Sequence, residues 1–156
     1  MAAASSVTIR RARRDDVGII VQMLADDPLG SARERIEDPM PASYFRAFET
    51  LDRNPNIQLV VAEDGEGAVV GCLQLCVLPG LSSQGASRGL IEDVRVAKHC
   101  RSRGIGEQMV QWALAQARAN GCILLELLTH HTRVDAQRFY ERLGFQRSHV
   151  GMTIRF

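Results

Sequence analysis

One stretch of the chain has the residue types needed to hold an anion. Residues 94–106 read Val94-Arg95-Val96-Ala97-Lys98-His99-Cys100-Arg101-Ser102-Arg103-Gly104-Ile105-Gly106, an apolar strand pattern that runs into a basic, glycine-bearing turn and then into a helical pattern. The first N–H groups of a helix have no partner within it, and the positive end of the dipole adds to their pull on phosphate. Glycines at 104 and 106 remove the Cβ atoms that would keep a phosphate off the backbone. Arg101 and Arg103 add charge beside it. Two familiar nucleotide turns do not fit. A dinucleotide fingerprint needs a third glycine where Met109 stands, and a Walker A loop needs Gly-Lys before Ser or Thr, which this sequence lacks.

Other side chains could move protons. The Tyr140 phenol, with an ordinary pKa near 10, can donate to a departing thiolate; at its helical spacing it can equally fill an apolar face beside Phe139 and Leu143. Strand alternation puts Glu92, Val94 and Val96 on one face and Asp93 on the other. Glu92 there can serve as a base or pair with Arg88 or Arg95. Glu126, inside the apolar run 122–128, is a second carboxylate on the adjoining strand. Adjacent His130 and His131 on a strand would face opposite sides and could not chelate one ion, so no metal is expected.

The pattern Arg101-x-x-Gly104-x-Gly106 after a hydrophobic-x-Val strand resembles the coenzyme A pyrophosphate turn of the Gcn5-related N-acetyltransferases. Further on, Ala136-x-x-Phe139-Tyr140-x-x-x-Gly144-Phe145 is similar to the family's second signature, and Ile9-Arg10-Arg11-Ala12 followed by Asp16 to its first strand and helix. Within the family, Ile91-Glu92-Asp93 and Gly151-Met152-Thr153-Ile154-Arg155 resemble glucosamine-phosphate acetyltransferases. The block from Arg133 to Tyr140 instead resembles aminoalkylphosphonate acetyltransferases. Lys98 stands where the family often has Pro, Ser102 where it often has Gly, and Arg133 where many members carry an Asn that reaches the pantetheine arm.

The resemblance implies a mixed α/β domain over residues 1–156, with a twisted mixed sheet of about six or seven strands, splayed between the fourth and fifth, and about four flanking helices. It implies acetyl-CoA as cofactor and a small-molecule primary amine as acceptor, acetylated by direct attack in a ternary complex. Cofactor contacts would come from Val94, Arg95 and Val96, from the turn Arg101, Ser102, Arg103, Gly104, Ile105 and Gly106, and from Arg133, Asp135 and Tyr140. Tyr140 would be the general acid and Glu92 the base through a water, Glu126 or water alone being the alternatives. Arg33, Tyr44 and Glu92 would meet the acceptor. A homodimer is also implied. A protein or peptide acetyltransferase and a non-catalytic acyl-CoA-binding domain remain the alternatives.

These residues need elements to hold them. The patterns predict a strand over 7–10, a helix capped by Asp15 or Asp16, a mobile loop over 27–43 and a helix over 42–51. A hairpin of strands 57–63 and 68–78 follows, then a loop over 79–87 and a strand over 89–97. The second half reads as a helix over 104–119, a strand over 122–128, a short helix opened by a Thr132–Asp135 capping box, and a last strand over 147–156. With 46% hydrophobic residues, 24% charged and a net charge of +1, the 156 residues can bury about 69% of their unfolded surface, so a disordered chain is excluded. The near-zero charge argues against a nucleic-acid binder, and Arg10, Arg11, Arg13 and Arg14 precede Asp15-Asp16 as a solvated face. No apolar run reaches the roughly 20 residues of a membrane helix. Cys72, Cys76, Cys100 and Cys122 form no CxxC pair, and residues 1–6 carry no apolar secretory stretch, so a cytoplasmic protein with reduced thiols is expected.

Overall fold

The computed structural model describes residues 6–156; the expectation about a secretory segment falls largely on residues 1–5 and lies outside the described residues. Five strands form one sheet in sequence order: β1 (Thr8–Arg11), β2 (Ile57–Glu63), β3 (Val69–Leu78), β4 (Ser87–Val96) and β5 (Cys122–Leu127). The first four pair antiparallel, and β5 joins β4 in parallel. The helices are α1 (Val17–Ala25), α2 (Pro28–Ser31), α3 (Ala42–Arg53), α4 (Ser82–Gly85), α5 (Ile105–Ala119) and α6 (Val134–Arg142).

The sheet is smaller and the helix count larger than expected. Residues 147–156 alternate in polarity from His149 onward but pair with no strand, so among the described residues there is no sixth strand. The two extra helices are single turns inside the expected loops. At α2, Asp27 caps the N-terminus by accepting from Gly30 N at 2.7 Å, with Pro28 in the first turn, where its missing N–H costs nothing. At α4, Ser83 and Gln84 both sit at positive φ. The Thr132–Asp135 capping box does not form: Arg133 is the N-cap of α6 and makes no side-chain cap bond. His130 and His131 lie past the end of β5, in a loop, with ring centroids 4.3 Å apart.

The core lies between the two sheet faces and the helices. Val60, Val61, Cys72, Leu73, Leu75 and Ile91 are fully covered from the sheet, and Met109, Val110 and Ala113 from α5. The crossover helix comes close. A Cβ on Gly71 would lie 2.9 Å from Met109 Sδ, so the absence of a side chain there lets α5 settle on the β3–β4 pair. The other face receives α1, which contacts β3 and β4.

Candidate active site

Two irregularities of β4 shape the site. Pairing with β5 runs only from Ser87↔Cys122 to Ile91↔Leu127, so the second half of β4 has no neighbour on that side. On the β3 side the register slips: Glu92 pairs with Gln74 and Arg95 with Cys72, leaving Asp93 and Val94 opposite Leu73 alone. This is a β-bulge, and Asp93 takes φ 51° within it.

The bulge corrects the expected side-chain alternation. Paired residues share a face, so Glu92 and Arg95 lie with Gln74 and Cys72, while Val96 lies with Gly71 beneath α5. Glu92 and Val96 therefore point to opposite faces. The extra residue at 93–94 is invisible in β4 alone, because a bulge is a mismatch between two strands.

On the Glu92 face, Gln74 Nε2 donates to Glu92 Oε2 at 3.2 Å and approaches Cys76 Sγ at 3.3 Å. Among the described residues no arginine pairs with Glu92: Arg88 is taken by Glu126 at 2.5 Å, and Arg95 turns towards Asp27. Burial and then the neighbouring Asp93 charge push the Glu92 carboxyl above its ordinary range. Glu126, the alternative base, is tied into its arginine pair.

Asp27 sits between two cations. Its Oδ2 accepts a short bond from Arg133 Nη2 and lies 3.8 Å from Arg95 Nη2, while its Oδ1 caps α2. Burial raises the Asp27 carboxyl, but the Gly30 N–H and the charges of Arg133 and Arg95 more than offset it, and the net shift is downward. One carboxylate thus serves two guanidinium groups. Arg95 Nη1 also donates to Val94 O at 3.0 Å, while Arg95 Nε is buried without a hydrogen-bond partner among the described residues.

Tyr140 extends from α6 towards this pair. Its ring meets Phe139 and Phe145 edge-on at 5.1 and 5.6 Å, and among the described residues its hydroxyl has no hydrogen-bond partner. Burial raises the phenol pKa, and the charges of Arg95 and Arg133 pull it back in part. The structure thus brings Arg95, Arg133 and Tyr140 within electrostatic reach of one another. Asp135 stands apart: it is fully exposed and only 3.9 Å from Arg138.

Beyond the bulge, β4 leads through a short turn at Lys98–Cys100 into residues 101–106. Ser102 and Gly104 both have positive φ, 62° and 77°, and no side chain caps α5. The free first-turn N–H groups and the room at Gly106, where a Cβ would make only ordinary contact with Phe139 at 3.4 Å, suit a pyrophosphate. Arg103 is exposed beside them. Arg101 is engaged elsewhere, donating to Asp26 Oδ2 at 2.7 Å and Val96 O at 3.2 Å. The carbonyls of Val94 and Val96 therefore each already accept one arginine bond, and a second lone pair remains on each. The unpaired half of β4 is the length of backbone on which an extended pantetheine arm can lie as a strand.

The acceptor candidates also converge. Arg33 Nε donates to Glu34 at 2.7 Å, and Tyr44 Oη donates to the same carboxylate at 3.0 Å. The Glu34 bond raises the Arg33 pKa, with the charges of Asp93 and Asp27 acting in the same sense. Among the described residues no group of three His, Cys, Asp or Glu could hold a metal ion. A shallow groove of about 670 Å³ between β1 and the start of α5, lined by Val7, Ile9, Gly104 and Gln108, does not reach Glu92 or Tyr140.

Asp27, Asp26 and Gln74 were not legible as site residues. Asp27 had a local signal, an Asp before Pro at a helix start, but that predicts a cap and not a charge hub. Gln74 becomes visible only once β3 is in register with β4.

Comparison with known proteins adds a separate line. Residues 20–145 match the Acetyltransferase (GNAT) family. The chain is 36% identical over 123 residues to an aminoalkylphosphonate N-acetyltransferase of Salmonella typhimurium, covering 77% of each. It is 32% identical over 138 residues to a glucosamine 6-phosphate N-acetyltransferase of Trypanosoma brucei brucei, covering 85% of this chain and 92% of that one. A crystal structure described as a transcriptional regulator from Bacillus halodurans C-125 superimposes with TM-score 0.93 at 48% identity, over 97% of this chain and 100% of that one. With the match spanning most of the sequence and a sheet that opens beside a glycine turn, the chain belongs to the GNAT acetyltransferase family.

Proposed function

We propose that the chain, as one catalytic domain over residues 1–156, transfers the acetyl group of acetyl-CoA to the primary amine of a small molecule by direct attack in a ternary complex. The observation that carries this reading is the path formed by the unpaired half of β4 and the 101–106 turn, with Glu92 at its start and Tyr140 within electrostatic reach of Arg95.

Bound acetyl-CoA supplies the acetyl group as an activated thioester. Val94, Val96 and the turn from Arg101 to Gly106 would hold the cofactor, with Arg95 and Arg133 adding positive charge near Tyr140. Glu92, its carboxyl raised by burial, draws the proton from the acceptor ammonium through a water, which frees the nitrogen lone pair. Tyr140 Oη holds the proton that the departing sulfur takes up. The new C–N bond would replace the C–S bond; of the two protons the nitrogen loses, the first leaves through Glu92 to solvent and the second would restore the Tyr140 phenol.

Arg33 and Tyr44, joined through Glu34, face the acceptor. Two relatives are described as acting on amines that carry a phosphonate or phosphate, which supports an anionic small amine over a peptide. The Bacillus halodurans relative's description does not favour nucleic acid here, because Arg10 is spent on Asp16 and Glu63 and Arg14 on Glu49. A cytoplasmic setting and a homodimer belong to the same reading; the four free thiols support the first.

The test is thiol release from acetyl-CoA across amino-sugar phosphates, aminoalkylphosphonates, polyamines, aminoglycosides, amino acids and peptides. Turnover with a phosphorylated or phosphonylated amine is the expected result. Turnover with peptides alone shifts the reading to a protein acetyltransferase. Acetyl-CoA binding with no turnover on any amine leaves a binding domain.

A further inference from the structure

Two arginines of the cleft hold more donors than the protein satisfies. The Arg95 side chain is only 14% exposed, yet its Nε is buried with no hydrogen-bond partner among the described residues. Nη1 spends one N–H on Val94 O, and Nη2 stays 3.8 Å from Asp27 Oδ2. That same oxygen is already bonded by Arg133 Nη2, and the other oxygen of Asp27 caps α2. Two guanidinium groups thus share one oxygen of one carboxylate. A covered guanidinium with unmade bonds costs free energy until acceptors arrive.

The pair is turned away from the pyrophosphate turn. The bulge sets Arg95 with Cys72 on the face opposite Val96 and α5, whereas the 101–106 turn opens α5. Glu92 shares the Arg95 face. Their β3 partners, Gln74 and Cys72, are two residues apart, about 7 Å along the strand. Glu92 and its neighbour Asp93 make one end of this face negative, and Arg95 and Arg133 make the other positive. A ligand that matches carries an ammonium at one end and an oxyanion at the other.

The oxyanion has to displace Asp27. A carboxylate would replace it like for like and gain little. A phosphonate or phosphate monoester brings up to two charges and three terminal oxygens, enough for Arg133 and both free corners of Arg95.

We propose that Arg95 and Arg133 are the receptor for the phosphonate or phosphate group of the acceptor, and that Asp27 is a built-in stand-in for that anion, displaced when the acceptor binds. The two arginines then serve the acceptor and not the pantetheine arm. Calling the ligand an acceptor rests on the acetyl-transfer reading; the anion receptor does not.

Calorimetry with ethylphosphonate, which has the anion but no amine, reads the receptor without turnover. At low ionic strength Arg95→Gln and Arg133→Gln should each weaken its binding by about 10-fold or more. Asp27→Asn, which keeps an oxygen for the α2 cap, should tighten it by about 10-fold, a gain that a purely structural role would not give. Acetyl-CoA affinity of all three variants should stay within about 2-fold of wild type, which also shows that they fold. In turnover, Arg133→Gln should raise KM for 2-aminoethylphosphonate by about 100-fold and leave ethylamine nearly unaffected. Ethylphosphonate binding to neither wild type nor Asp27→Asn overturns the proposal. Weakened acetyl-CoA binding in the arginine variants hands the pair to the cofactor and overturns it too. Turnover of 2-aminoethylphosphonate with ethylphosphonate affinity unchanged in both arginine variants sinks the receptor and leaves acetyl transfer standing. Arginine-dependent ethylphosphonate binding with no turnover on any amine upholds the receptor and sinks acetyl transfer.

Discussion

Burial acts on Glu92 and Tyr140 in the same sense, disfavouring the charged form of each. For a base this means that the carboxylate appears only above a raised pKa, so the acid limb of the rate profile should lie above the ordinary 4.5. Replacing Glu92 by Gln should remove that limb and lower kcat by about 100-fold; a limb that persists would assign the base elsewhere. For an acid it means that the phenol stays protonated beyond the usual 10.0, so activity should hold to high pH. Tyr140→Phe should lower kcat by about 100-fold or more while acetyl-CoA affinity, read by calorimetry, stays within about 2-fold. Both residues could be singled out in the sequence, one from strand pattern and resemblance, the other from the Phe-Tyr signature. Asp27 could not, because its importance comes from Arg95 and Arg133, which arrive from β4 and the start of α6.

Those three segments make Asp27 a link between elements, and two substitutions separate its duties. Asp27→Asn keeps an oxygen to cap α2 but removes the charge that offsets the two arginines. The positive potential at Tyr140 then rises, phenolate is favoured, and the alkaline limb should move to lower pH. Asp27→Ala should show the same shift and, in urea unfolding, lose about 1 kcal/mol more through the missing cap. An alkaline limb unmoved in both would disconnect Asp27 from Tyr140. Elements set by local pattern were legible: the strand at 57–63 was placed to the residue, and α3, α5 and β5 to within two. Features that depend on a partner strand were not. The bulge at Asp93 needs β3 to define it, and the alternation at 147–156 promises a strand but does not supply an edge for it.

Across the whole molecule, the first strand is locked to the rest by a partly buried ion cluster. Asp16 accepts from Arg10 Nη1 at 2.7 Å, Arg10 Nη2 at 3.1 Å and Arg13 N at 2.6 Å, and Arg10 also binds Glu63. Burial raises the Asp16 carboxyl, but the Arg10 and Arg13 bonds outweigh it and the net shift is downward. A carboxyl depressed on folding adds stability above its unfolded pKa, near 3.8, and loses it as pH falls through the lower folded value. Asp16→Ala should therefore lower the unfolding free energy by about 3 kcal/mol at neutral pH, and the gap to wild type should close in acid. A constant gap would mean packing, not charge, holds this corner. The α/β layering could be read from the order of patterns, whereas the separation of β4 from β5 was expected from the family resemblance alone, since it is a property of the pair. Asp93 has a consequence for that separation. Every flanking residue of β4 keeps its β3 partner if Asp93 is deleted, because Val94 then falls opposite Leu73. The strand would straighten, and the seam with β5 could zip onward past Ile91. One supernumerary residue acts as the doorstop of the molecule, and a chain without it would be a better sheet and a closed one.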